Sequence, residues 1–183
     1  MPSRLRNGAA AWALAFASAA PTAAVLHSES DEFVIRHEVE LGVSSDVVFA
    51  GLAALPKWWS GDHSYSGDAG NFSFDLAAGG CFCERWGGAS AEHLRVIYAV
   101  PEREVRLRGE LGPLQTMPVS GLMRWRIVPR GSGATLTWEY RVWGAASAQL
   151  DRVAAPVDQV LGQQLSALAA YLGEEPGHRA DGR

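Results

Sequence analysis

Glu84 and His93 are the two residues whose types and spacing point most directly to chemistry. A carboxylate touching an imidazole fixes the ring's tautomer, and the ring titrates near neutral pH, so the pair can move a proton. Counting residues through a turn centred between Gly88 and Ala89 sets the two directly opposite each other on neighbouring strands. The same count puts them on the face away from Leu94 and Cys83, where a surface ion pair is the plainer reading. One β-bulge would turn them inward, and Phe82 and Trp86, which share their face, are odd surface residues. As acid and base they would suit a cyclase, dehydratase or isomerase.

A second set is aromatic. Trp58, Trp59, Tyr98, Trp125, Trp138 and Tyr140, with Met117 and Met123, offer the contact area to hold a flat or greasy molecule, and Trp N–H and Tyr O–H groups could orient its polar end. Core packing explains any one of these rings by itself; the set together points to binding. Gln115, in a loop braced by Pro113 and Pro118, is placed either to bond a ligand or to tie down its own loop. His37 falls on the apolar face of its strand and reads as a satisfied core histidine, and Asp158 as a partner for a helix dipole. Asp62, His63 and Asp68 lie in a Gly- and Ser-rich stretch, residues 60–70, that reads as a flexible polar loop rather than a metal site.

Cys81 and Cys83 are two apart on one strand. Regular extended backbone separates such Cα atoms by about 6.5 Å with parallel side chains, which suits free buried thiols better than a disulfide. Cys-x-Cys with one nearby His also lacks the ligand count of a zinc site. No metal and no cofactor is expected, and no nucleophile elbow, phosphate loop or dinucleotide fingerprint occurs.

The elements that must position these residues follow from periodicity. Residues 119–142 alternate strictly: Met123, Trp125 and Ile127, then Leu136, Trp138, Tyr140 and Val142 after a Gly-rich turn. A symmetric turn makes Trp125 face Trp138, Met123 face Tyr140 and Ile127 face Leu136. Phe33, Ile35, His37, Val39 and Leu41 mark a first strand. A helix capped at Ser44 or Ser45 follows, then a short one from Pro56. Simple hairpin counting through residues 72–111 pairs Leu76 with Cys81, Phe74 with Cys83, Cys83 with Leu94, Tyr98 with Leu107 and Val100 with Val105. Val157, Val160, Leu161, Leu165, Leu168 and Leu172 keep a helical rhythm in a last helix opening near Pro156 and stopped by Gly173. The fold class is α+β: a curved antiparallel sheet of about six to seven strands around a long C-terminal helix, with two short helices after the first strand.

At 183 residues and 48% hydrophobic, the chain can bury one core, and its net charge of −4 argues against a nucleic-acid partner. Arg4 and Arg6 precede an apolar run, residues 9–20, and Ala17-Ser18-Ala19 and Thr22-Ala23-Ala24 resemble processing sites. The expected organisation is a signal peptide over 1–24, a domain over 25–172 beginning near Val25, and a disordered tail over 173–183. The mature protein would be exported, periplasmic or secreted, without a stable membrane anchor.

In this order the elements resemble the START-related (SRPBCC) helix-grip superfamily, in particular bacterial members akin to polyketide cyclases and heat-shock ATPase-activator homologues. The likeness runs from about Phe33 to Leu172. It is carried by residues 47–59, by Gly79-Gly80-Cys81-Phe82-Cys83-Glu84, by residues 93–101, by Leu111-Gly112-Pro113-Leu114-Gln115, by Gly133-Ala134-Thr135-Leu136-Thr137 and by Ala155-Pro156-Val157-Asp158. The resemblance implies a cavity between sheet and last helix. The expected function is an exported protein holding a small hydrophobic or aromatic molecule there. The alternatives are an enzyme using Glu84 and His93, and a protein-interaction module.

Overall fold

The computed structural model describes residues 22–174. Eight antiparallel strands form one sheet: β1 (Thr22–Ser28), β2 (Glu32–Leu41), β3 (Phe72–Phe74), β4 (Cys81–Trp86), β5 (Ala89–Val100), β6 (Glu104–Arg108), β7 (Val119–Arg130) and β8 (Gly133–Gly144). Their order across the sheet is β1-β2-β8-β7-β6-β5-β4-β3. Two α-helices accompany them, α1 (Ser45–Ala53) and α2 (Asp151–Glu174). The sheet wraps α2, whose Leu161, Leu165, Leu168 and Leu172 are buried against it. The expected architecture is present, with one strand more than the count of six to seven.

The central hairpin has the register its alternation implies. Trp125 pairs with Trp138, Met123 with Tyr140 and Ile127 with Leu136 across a Gly131-Ser132 turn. The two indoles stack with centroids 5.0 Å apart. Trp58 packs on Trp138 at 5.9 Å, Phe74 on Trp125 at 5.6 Å, and Trp59 bridges Trp58 and Phe82 at 5.7 and 5.1 Å. Such ring pairs add to the burial of large apolar area, and they fill the middle of the concave face.

The other hairpins depart from simple counting at their turns as well as at two bulges in β5: the β4–β5 turn is centred between Gly87 and Gly88, so Glu84 pairs with Ala91 rather than His93. Phe82 pairs with Leu94 but Cys83 pairs with Glu92, leaving His93 as the extra residue. Val96 pairs with Leu107 but Tyr98 with Arg106, leaving Ile97 extra. Each bulge reverses which side chains face inward. His93 and Leu94 are therefore buried in succession, and Ile97 and Tyr98 exposed in succession. Phe74 pairs with Phe82 rather than Cys83, and Val105 with Ala99 rather than Val100. Turn counting assumes a symmetric turn and uniform pleating; the turns of β3–β4 and β5–β6 break the first, and the bulges break the second.

Three further expectations need correction. The cysteines are bonded to each other, not free; beside the His93 bulge their Cα atoms stand 5.3 Å apart, nearer than regular strand spacing. Helix α2 opens at Asp151, not Pro156, so the proline lies inside it and removes the bond to the Arg152 carbonyl. Strand β1 was not foreseen: Thr22–Ser28 pairs along β2, so the expected first mature residue, Val25, lies within a strand. The signal expected over 1–24 otherwise falls on residues 1–21, outside the described residues, and so does most of the expected tail. No helix among the described residues is long and apolar enough to cross a membrane.

Because Trp138 is 1% exposed within this ring stack, Trp138→Ala should lower the unfolding free energy by about 3–5 kcal/mol. Tyr98→Ala, on the outer face, should change it by less than about 0.5 kcal/mol. Urea unfolding of the two variants distinguishes them; a small loss for Trp138→Ala would contradict the packing.

Candidate functional site

The site forms around the His93 bulge. Phe82 and Glu84 project to the concave face, while Cys81 and Cys83, which alternate with them, project outward. The Glu84 carboxylate is fully buried, and a buried charge needs partners on both oxygens. It has them: Oε2 accepts from His93 Nε2 at 3.0 Å and from the Tyr65 backbone N–H at 3.0 Å, and Oε1 accepts from the Ser66 N–H at 2.6 Å. Burial pushes the Glu84 carboxyl upward, but the Ser66 and Tyr65 bonds and His93 together hold it below its ordinary value. Burial likewise pulls the His93 imidazole below its usual range, against the opposing pull of Glu84. At neutral pH the pair is a carboxylate and a neutral imidazole. With Nε2 engaged, Nδ1 is the ring nitrogen that remains for a guest.

Glu84 thereby pins the loop that carries Tyr65. The Tyr65 ring stacks between His93 and Trp86, at 5.4 and 6.3 Å. Its hydroxyl lies 2.9 Å from the Gly112 carbonyl and 3.1 Å from Gln115 Oε1, both acceptors. Gln115 Nε2 donates in turn to the Glu92 carbonyl at 2.7 Å, beside the bulge. The stretch expected to be a flexible polar loop is therefore bonded along its length. Ser60 N donates to the buried Gln164, His63 Nε2 meets Gln163 Oε1 at 3.0 Å, and Asp68 accepts from Gly70 N.

Tyr140 braces the facing loop. Its buried hydroxyl donates to the Gly109 carbonyl at 3.0 Å and accepts from Leu111 N–H at 3.2 Å; burial pushes its ionisation well above the ordinary tyrosine range. This close approach is why residue 121 is glycine: a Cβ there would stand 2.2 Å from the Gly109 carbonyl and 2.7 Å from the Tyr140 hydroxyl.

Between these loops and the first half of α2 lies a cavity of about 420 Å³. Its walls are Val153, Pro156, Val157, Val160 and Leu161 of α2, Leu111–Leu114 and Met117 of one loop, and residues 62–65 with Trp59 of the other. His93 lies in the wall. Of the ring set expected to line a pocket, Trp59 and Met117 do so. Trp58, Met123, Trp125, Trp138 and Tyr140 are in the solid core behind it. Tyr98 is on the outer face with the Arg106 guanidinium 4.3 Å above its ring, carried there by the Ile97 bulge. Gln115 is exposed and ties its loop rather than lining the void. Tyr65 and the α2 residues 153–160 were missed: the one aromatic side chain in a glycine-rich loop, and a helical stripe read only as core.

Two other polar groupings lie apart from the cavity wall. His37, 1% exposed, has Nε2 2.9 Å from Asp158 Oδ1, an ion-pair contact rather than an aligned hydrogen bond. It is thus a core histidine with a carboxylate beside it, and Asp158, expected as a partner for the helix dipole, faces His37. Among the described residues the only group with metal-ligating spacing is Cys81, Cys83 and Glu92, and its sulfurs are bonded to each other rather than free as thiolates.

A curved antiparallel sheet packed on a long last helix, with a cavity between them, is a helix-grip fold. Solved structures share it at low identity. An uncharacterised protein from Rhizobium leguminosarum is 18% identical, over 85% of this chain and 99% of that one, with a TM-score of 0.58. CalU16 from Micromonospora echinospora is 15% identical, over 80% and 78%, at 0.56. Ara h 8.0201 is 9% identical, over 77% and 97%, at 0.53. No family model and no curated protein matches the sequence.

Both shifts predict acid lability. Glu84, held below its ordinary 4.5, stabilises the fold above that pH and loses the contribution as pH falls through its lower folded value. His93, held below its ordinary 6.5, takes up a proton more readily when unfolded, so stability is complete above 6.5 and falls as pH drops through it. Urea midpoints should therefore decline from about pH 7 to about pH 5 and further below, and His93→Gln should flatten the upper step. A midpoint unchanged over that upper interval in the natural protein would refute the assignment for His93.

Proposed function

We propose that the protein holds a small, flat, mainly apolar molecule between its loops and α2, with His93 orienting one polar end. The observation that carries this is the 420 Å³ cavity, walled by Val153, Val157, Val160, Leu161, Leu114 and Met117 and bearing one buried imidazole. That volume suits a compact ligand rather than a long lipid chain. The backing of stacked rings and the cross-bonded loops support a largely preformed site, in which little ordering opposes binding.

A second reading rests on the dyad. A buried carboxylate paired with a neutral imidazole on a cavity wall fits a general base for an isomerisation, dehydration or cyclisation. In that reading His93 Nδ1 takes the proton and Glu84 steadies the imidazolium. The export reading is part of the same proposal; it rests on Arg4, Arg6 and the apolar run over residues 9–20, and the Cys81–Cys83 bond suits an oxidising compartment.

Native mass spectrometry of protein purified from its own host should show a bound apolar molecule. Aminoanthracene should bind the empty protein, and Val157→Trp, which fills the cavity, should weaken it by about tenfold or more. Unchanged binding in that variant would remove the cavity reading. The molecule so identified can then be offered to His93→Gln: binding retained with conversion lost supports the acid–base reading, and conversion retained ends it.

A further inference from the structure

The disulfide is poorly explained as a structural staple. Cys81 and Cys83 are neighbours but one on β4, and both are already held in register by pairing with Arg95 and Glu92 of β5. Closing so small a loop removes little freedom from the unfolded chain.

Its setting favours reaction at one sulfur. The pair lies on the outer face of the sheet, away from the cavity, with Cys81 partly exposed and Cys83 7% exposed. Glu92 reaches across from β5, its Oε2 4.0 Å from Cys81 Sγ. Arg95 grips both oxygens of that carboxylate and also donates to the Gly79 carbonyl at 2.7 Å. While the sulfurs are bonded, Cys81 has no proton to give. Once reduced, its S–H can donate to Glu92, an interaction the oxidised form lacks.

We propose that Cys81–Cys83 is a thiol–disulfide exchange site on the outer face, whose reaction partner is a small thiol or dithiol. The partner's thiolate attacks Cys81 Sγ; the Cys81–Cys83 bond breaks, and Cys83 leaves as a thiolate that takes a proton from solvent. A second partner thiolate then attacks the partner sulfur of the mixed disulfide. It releases Cys81, which gains a proton beside Glu92, and the partner departs as its own disulfide. Two electrons and two protons pass from two partner thiols to the two cysteines.

Full-length protein equilibrated through a glutathione redox series, then alkylated and weighed intact, tests this. Two alkylated cysteines should appear within the series while the near-ultraviolet circular dichroism stays native. Cys83→Ser should acquire one glutathione at the partly exposed Cys81 faster than Cys81→Ser acquires it at the buried Cys83. A disulfide that stays closed across the series, opens only as the fold is lost, or shows equal rates in the two variants would overturn the proposal.

Discussion

A carboxylate with no access to water governs the shape of this molecule's cavity. Buried ionised groups are tolerated only where donors converge on them, and Glu84 recruits three: His93 from β5 and two consecutive backbone N–H groups from the loop after Trp59. Meeting that demand fixes the loop, brings Tyr65 against His93, and through the Tyr65 hydroxyl sets the distance to the loop at Gly112. None of it happens without the additional residue in β5, since an unbulged strand would leave His93 pointing the other way.

Behind this end the sheet is filled by its own rings. Trp125, Trp138 and Trp58 interlock with Phe74, and Tyr140 spends its hydroxyl on the Gly109–Leu111 turn. The void is therefore displaced from the middle of the concave face toward the first turns of α2, where Val153, Val157 and Val160 are too short to reach the opposing loops. The aromatic wall contributes rigidity, and the aliphatic residues of the helix and loops make the surface a guest would touch.

Much of this was legible from residue order. Strict alternation in residues 119–142 established the hairpin and its register, and the leucine spacing to Leu172 established the last helix. What stayed hidden were local departures from uniform geometry. The bulges at His93 and Ile97 and the placing of the β4–β5 turn at Gly87-Gly88 have no compositional mark, and counting without them puts His93, Tyr98, Glu84 and Phe82 on the wrong face. Cys81 and Cys83 were judged on ideal strand spacing that the distorted strand does not have. Alternation marks Trp138 and Met123 as inward-facing but does not tell whether they border empty space, and the surface they were expected to form is supplied by Val157 and Leu114. The pairing of His37 with Asp158 joins β2 to α2 across more than half the chain, beyond any local pattern.

The most direct test of a guest site beneath α2 is nuclear Overhauser spectroscopy on protein carrying a bound flat apolar fluorophore. Cross-peaks from the fluorophore to the Val157, Val160 and Leu114 methyls, and to the His93 ring, are the result this account requires. Cross-peaks confined to outer-face side chains such as Ile97 and Tyr98, with none to α2, would contradict it.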